Sequence, residues 1–271
     1  MEQLKKTLLK TPIIGSAYVN WKRNRKIEAT KTQEYAEWLE NPAAAASVER
    51  LKSYHNKHQG ERCFVISNGP GLKKTDLSLL KNEVTFGANR IYLLFEDDGF
   101  KTTYFCSVNK NVTEQFKDDI AQLEMPKFLT WAAHDHIPFD EDVMFLRYIH
   151  EEEFHPTPLR GLWYGATVTF VSLQLAYFMG FETVYLIGVD HSFKDKGPAH
   201  KLVTAQGDDE NHFHPDYFGK GIKWQLPDLD TSEQAYLCAR QYYEANGRKI
   251  YDATVDGKLQ IFPKEDYLSL F

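Results

Sequence analysis

From Arg62 onward, short apolar runs alternate with stretches of helical spacing, and this alternation restricts the chain to a sheet whose strands are joined by helices. Six runs have strand length and composition, at 63–67, 84–88, 104–108, 127–131, 145–149 and 183–187, with a short last one at 249–251. Strands joined by helical crossovers pair in parallel. The pattern therefore predicts an α/β fold, a Rossmann-like, mostly parallel sheet flanked by helices. Residues 166–179 are almost wholly apolar, which suits a central buried helix ending before Gly180 as its C-terminal cap. A second helix is predicted from Asp230 or Thr231 to Asn246, with Ser/Thr/Asp capping chemistry ahead of it and Gly247 behind.

The first 60 residues have a different character. Lys5, Lys6, Lys10, Lys22, Arg23, Arg25 and Lys26 surround Leu4, Leu8, Leu9, Ile13, Ile14 and Trp21, a basic and partly amphipathic pattern. Such a segment suits an anionic membrane surface; equally, it suits a packing arm. Pro12 and Gly15 are expected to interrupt any single helix there. Residues 32–58 read as one or two helices, with a break at Pro42. The expected organisation is an N-terminal helical arm over 1–60 and an α/β domain over 61–271.

With 38 acidic against 32 basic residues, the formal charge of -6 provides no global attraction for a polyanion, so nucleic acid is not an expected partner. Cys63, Cys106 and Cys238 lie far apart with no CxxC, which argues against a disulfide framework or a cysteine zinc site and suits a reducing compartment. No apolar run approaches the ~20 residues of a membrane span, and the N-terminus lacks a secretory h-region. The expectation is a complete cytoplasmic chain, with the basic arm allowing peripheral contact with the inner face of the membrane.

Function-bearing residues are expected where strands meet helices. In Val65–Leu72 a hydrophobic strand runs into Asn68-Gly69-Pro70-Gly71 and then a helical stretch, a turn that lets a phosphate or ribose approach the main chain. The spacing matches neither GxGxxG nor GxxxxGK[ST], and a tight turn without a ligand explains it as well. Asn89 and Asn109 follow the second and third strands; their amides could read ribose hydroxyls or a pyrimidine edge, or serve the turns themselves. Gly165-Ala166-Thr167 opens the buried helix, whose N-terminus would face an anion.

Over residues 62–225, this set resembles the bacterial family-42 glycosyltransferases, which are lipooligosaccharide sialyltransferases, and the related 6-hydroxymethylpterin diphosphokinase MptE-like superfamily. The carriers are Asn68-Gly69-Pro70, Asn89, Asn109, the small-residue helix start at Gly165, and the stretch from Gly180 to Asp190. The resemblance implies a sialyltransferase-like, GT-A-variant sheet and makes 61–271 the nucleotide-sugar-binding catalytic domain. It also implies CMP contacts at Asn68, Gly69, Asn89, Asn109, Gly165, Ala166 and Thr167, with Pro70, Gly71, Asp190 and His191 on the same rim. Gly71 stands where the family has a serine, and Gly165-Ala166-Thr167 replaces its Thr-Ser-Gly. Lys220 stands where the family's catalytic histidine follows a tyrosine, leaving His212 and His214 as candidate bases and Tyr217 or Tyr164 as a donor to the leaving phosphate. Arg160 is a candidate partner for the sugar carboxylate, or an ion-pair partner of Glu151-Glu152-Glu153.

The long segment from His191 to Trp224 reads as a lid. A divalent ion on His212 and His214 with Asp190 or His191 is allowed but not needed, and Asp228-Leu229-Asp230 reads as capping rather than a metal-binding DxD. Glu96-Asp97-Asp98 reads as a solvated turn. The expected activity is inverting transfer of sialic acid or a related acidic sugar from a CMP-sugar, with no further cofactor, to a glycan or lipid-linked glycan acceptor. A homo-oligomer is compatible with the sequence. The alternatives are an MptE-like diphosphokinase using ATP and magnesium, and a non-catalytic nucleotide-binding protein, which Lys220 in place of histidine favours.

Overall fold

The alternation becomes a sheet of seven parallel strands among the described residues, in the order β5-β4-β3-β2-β1-β6-β9. These are β1 (Arg62–Ile66), β2 (Val84–Ala88), β3 (Tyr104–Ser107), β4 (Lys127–Thr130), β5 (Val143–Leu146), β6 (Thr183–Ile187) and β9 (Lys249–Asp252). Nearly continuous apolar runs serve here because helices and turns cover both faces of a parallel sheet. The computed structural model describes residues 12–95, 100–195 and 197–271; side chains in the N-terminal helix are described at 25, 26 and from 28 onward. The chain divides into two units, 1–46 and 47–271.

In the first unit, α1 (Pro12–Leu39) is unbroken across Gly15. This corrects the expected interruption at Gly15: one glycine costs a helix only about 1 kcal/mol relative to alanine, which a long helix absorbs. The break at Pro42 is present, where the Asn41 side chain accepts from the Ala43 N–H at 2.9 Å as α2 (Pro42–Lys52) opens. Leu4, Leu8, Leu9, Lys5, Lys6 and Lys10 lie outside the described residues, as do the side chains of Ile13, Ile14, Trp21, Lys22 and Arg23 and the run Glu96-Asp97-Asp98.

In the second unit the chain winds outward from β1 to β5, then returns to place β6 on the other side of β1. Ile66 faces Gly87 of β2 on one flank and Ile187 of β6 on the other. The carboxyl ends of β1, β2 and β6 therefore emerge together at the point where the strand order reverses, which is where open α/β sheets leave a crevice. Helix α5 (Val168–Phe178), read from its apolar run, is buried on almost every side and packs against β1, β2 and β3. Each large side chain it buries, such as Phe170 at 0% exposure, contributes about 1.5–3 kcal/mol. Its flanks are polar-matched: the Tyr243 hydroxyl of α6 (Leu229–Ala245) donates to the Leu173 carbonyl at 2.7 Å, and Gln174 joins the Trp163 carbonyl to the His155 amide.

Two elements depart from the sequence reading. Strand β5 starts two residues early, because Val143 pairs with Lys127 of β4; beyond Leu146 the chain leaves the sheet, and Tyr148 bridges Leu162 instead. The 191–224 segment, expected as a lid, contains an antiparallel pair that the sequence reading did not include, β7 (Leu202–Thr204) with β8 (Lys223–Gln225). The Gln115 side chain of α3 (Lys110–Gln115) pins that pair, donating to the Lys223 carbonyl at 2.7 Å and accepting its N–H at 3.0 Å. Among the described residues no helix is long and apolar enough to cross a membrane.

Candidate functional site

The crevice at the strand-order reversal is a cavity of about 170 Å³. Its floor is the exit of β1. The Gly69 N–H donates to the Gly188 carbonyl at 2.9 Å, which ties the turn after β1 to the turn after β6. Asn68 is 7% exposed and donates through Nδ2 to the Ala88 carbonyl at 2.9 Å, while its Oδ1 is buried without a partner. Asp190 accepts the Gly71 N–H at 2.9 Å through Oδ1, and its Oδ2 is likewise buried without a partner. A Cβ on Gly69 would fall 2.0 Å from that Oδ2, so the carboxylate requires glycine at this position. Burial pushes the Asp190 carboxyl up, with the Gly71 amide opposing it.

Helix α5 points its N-terminus into the same cavity. Gly165 and Ala166 take consecutive left-handed conformations, φ 54° and 55°, and turn the chain so that Thr167 can cap the helix by accepting the Thr169 N–H at 3.3 Å. Because the cap is neutral, the positive end of the helix dipole is left for a ligand. Hydroxyls crowd around it: Ser67 and Thr169 lie 2.7 Å apart, and Thr167 is 3.2 Å from the Tyr236 hydroxyl. Among the described lining residues there is no lysine or arginine. An anion here would be held by a helix terminus and hydroxyl groups.

The third wall comes from the 191–224 insertion, through Asn211, His212 and Tyr217. The His212 and Tyr217 rings stack with centroids 3.9 Å apart at 12°. His212 Nδ1 lies 2.7 Å from Asp209 Oδ2, and this carboxylate, its side chain 3% exposed, also accepts the N–H groups of Asn211, His212 and Phe218 at 2.7, 3.1 and 3.0 Å. Burial alone would raise the Asp209 carboxyl, but His212 and the surrounding amides hold it below its ordinary value. An ionised acceptor at Nδ1 keeps the proton on that nitrogen and leaves the lone pair on Nε2, the arrangement of an oriented general base. Burial pushes the Tyr217 hydroxyl up, against smaller opposing effects of Arg90 and Asn89, so it remains a neutral donor.

Of the residues expected from sequence, Asn68, Gly69, Asn89, Ala166, Thr167, Asp190, His191, His212 and Tyr217 line this cavity together. Gly165 stands just behind, where a Cβ would meet Ala235 at 2.4 Å. The others sit elsewhere. Asn109 caps α3 by accepting the Asn111 N–H at 2.9 Å, and Pro70 opens a short 3-10 turn that includes Gly71. His214 Nδ1 accepts the Asp216 N–H at 3.1 Å, away from the cavity lining, and Lys220 is exposed. Arg160 lies beyond β5, where its carbonyl accepts from Arg147 at 3.2 Å. Tyr164 donates to the Leu146 carbonyl at 2.8 Å.

Asp228 caps α6, accepting the Thr231 N–H at 3.0 Å and pairing with His200 at 3.0 Å; burial would raise its carboxyl, but these partners lower it. Here the capping role belongs to the first aspartate of Asp228-Leu229-Asp230. Among the described residues no three histidine, cysteine or carboxylate groups converge as metal ligands. Sequence reading placed Asp209 only in the acidic run 208–210, without its pairing to His212, and missed Arg90. The first carried one signal, its three-residue spacing from His212.

A family model described as 6-hydroxymethylpterin diphosphokinase MptE-like matches residues 36–196. No curated protein matches the chain. Among solved structures, the MAf glycosyltransferase from Magnetospirillum magneticum AMB-1 is similar in fold, with a TM-score of 0.52 and 13% identity over 80% of this chain. The chain corresponds to 35% of that protein's length. The family match takes in the strand exits that floor the cavity and stops before Asp209 and His212. Since it spans more than half of the residues, the chain belongs to the 6-hydroxymethylpterin diphosphokinase MptE-like family.

Proposed function

We propose that the protein is an inverting glycosyltransferase that moves an acidic sugar from a CMP-sugar to a hydroxyl of a surface-glycan acceptor. One observation carries this reading: the Asp209–His212 pair, oriented as a base, stands across a single cavity from the hydroxyl-lined N-terminus of α5. The nucleotide would lie on the exits of β1 and β2, with its phosphate at Thr167 and Thr169. As the acceptor oxygen attacks the anomeric carbon from the opposite face, its proton passes to His212 Nε2. The bond from the anomeric carbon to the phosphate oxygen breaks, and CMP departs with the electron pair. The Tyr217 hydroxyl and the helix terminus stabilise the charge that gathers on that oxygen. A monophosphate leaving group suits a cavity whose described lining holds no lysine or arginine. The acidic character of the sugar follows the resemblance to the family-42 enzymes, and the glycosyltransferase fold neighbour supports the reaction class.

Family membership favours a second reading, ATP- and magnesium-dependent diphosphoryl transfer to a pterin. In that reading the unpartnered Asn68 Oδ1 and Asp190 Oδ2 would take the N–H edge of an aminopyrimidinone ring. Thermal shift separates the two, since a ligand that binds only the folded state raises its melting point by mass action. Stabilisation by CMP without metal supports glycosyl transfer. Stabilisation by ATP only with magnesium, together with binding of 6-hydroxymethylpterin, would replace it.

A further inference from the structure

The 191–224 insertion holds a second cavity, of about 330 Å³, between the β7–β8 pair and the segment 206–211. Its floor is aromatic: Trp224 and Phe218 stack with centroids 5.6 Å apart at 22°. Its walls carry exposed polar groups, Lys201, Thr204, Gln206 and Asp208. Asn211 lines both this cavity and the one at the strand exits, and the residue after it is His212. That shared partition is held rigidly. Asn211 Oδ1 accepts the Lys194 N–H at 2.7 Å, its Nδ2 donates to Asp195 at 2.7 Å, and its own N–H is taken by Asp209.

We infer that this second cavity binds a neutral hexose unit of the acceptor glycan, next to the sugar that presents its hydroxyl to His212, a role that rests on the glycosyl-transfer reading. A pyranose ring has an apolar C–H face and a rim of hydroxyls that both donate and accept. An aromatic floor with donors at Lys201 and Gln206 and acceptors at Asp208 and Thr204 complements both features. Charge selects the neutral form. The cavity's carboxylates, Asp195, Asp208, Asp209 and Glu210, outnumber Lys194 and Lys201, and Lys194 is already paired with Glu210, so an anionic ring would be repelled. The division of labour is then physical: the charged donor sits at a helix N-terminus, and an uncharged unit of the acceptor glycan beyond the reacting sugar sits in an acidic pocket on the far side of Asn211.

The test is saturation-transfer NMR with the full chain and three probes at millimolar concentration: methyl β-galactopyranoside, methyl β-glucopyranoside and methyl β-N-acetylglucosaminide. At least one should receive saturation from the wild type. Thr204→Trp, which fills the cavity from an exposed strand, should reduce that signal about ten-fold or more. Asp208→Ala, an exposed change that leaves the aromatic floor intact, should weaken it in the same direction. CMP affinity, measured by calorimetry on the same samples, should stay within about two-fold of wild type. Silence from all three glycosides, or a signal unchanged in both folded variants, overturns the inference. Glycoside binding that depends on Thr204 in a protein that ignores CMP would leave the cavity standing and remove the donor reading.

Discussion

The Arg90 guanidinium donates to the main-chain carbonyls of Asp216 and Tyr217, so a residue at the exit of β2 holds in place the tyrosine that stacks on His212. Arg90 is 8% exposed, and its guanidinium carbon sits 3.9 Å over the Phe116 ring. A buried guanidinium is stable only when such partners replace its water. Through it, the insertion that supplies His212 is fastened to the sheet edge that supplies Asn89.

Arg90→Met keeps the length of the side chain and removes the donor to both carbonyls, leaving the buried Tyr217 carbonyl and the part-buried Asp216 carbonyl without it. The expected loss is about 3 kcal/mol, counting charge-assisted hydrogen bonds and stranded acceptors. Urea unfolding monitored by circular dichroism measures it. A change below about 1 kcal/mol would mean that the insertion holds its place without the clamp.

Gly69 and Asp190 predict a coupled pair. Gly69 has φ -68°, which any residue adopts, so the obstacle to a side chain is purely steric: the added Cβ meets Asp190 Oδ2 at 2.0 Å and the Gly188 carbonyl at 2.8 Å. Gly69→Ala should destabilise the fold by about 2–3 kcal/mol, as overpacking does. Asp190→Ala should recover part of that loss in the double variant, because the nearest obstacle is then gone, whereas the Gly188 carbonyl remains. Strict additivity of the two changes in a double-mutant cycle would contradict the contact.

Asp190 also carries a pH signature. Its folded carboxyl lies above the ordinary aspartate value, so folding favours the protonated form. The penalty is absent at low pH, where both states are protonated, and grows as pH rises from the unfolded value through the folded one. Asp190→Asn should therefore be more stable than wild type at neutral pH, with the advantage vanishing below the ordinary aspartate range. Melting temperatures between acid and neutral pH test this. An advantage that persisted undiminished in acid would assign the effect to packing instead.

The sheet was legible because its strands are buried on both faces and so appear as apolar runs; Val84–Ala88 and Thr183–Ile187 are read residue for residue. The start of β5 was obscured because Met144 and Val143 follow a charged turn at 140–142 and join the sheet only through register with β4. Strands β7 and β8 are three residues each, half exposed, and 18 residues apart, so no local periodicity marks them. At the site, two of the three strand-exit amides, Asn68 and Asn89, and the glycine-led helix start were legible from position, whereas Asn109 caps α3 instead. The preference for His212 over His214 and Lys220 as the proposed base was not, since only tertiary structure brings Asp209 beneath His212 and turns His214 toward the Asp216 amide.

The Asp209–His212 pair makes the sharpest prediction for chemistry. Asp209→Asn leaves the imidazole in place but puts a donor against a donor: the amide Nδ2 would face His212 Nδ1–H or the Phe218 N–H, both of which Oδ2 now accepts. Either the histidine changes tautomer, so that Nε2 carries the proton, or the insertion loosens. Sugar transfer should fall by about 10²–10⁴, the usual range for a general base. His212→Ala should lose transfer to a similar extent while CMP affinity stays close to wild type. Stability gives an independent check. The folded Asp209 carboxyl lies below its ordinary value, so its contribution is complete above the unfolded value and is lost as pH falls through the folded one. Wild type should thus lose stability in acid more steeply than Asp209→Asn, and parallel acid-unfolding curves would show that the Asp209 carboxylate is not ionised as the geometry requires.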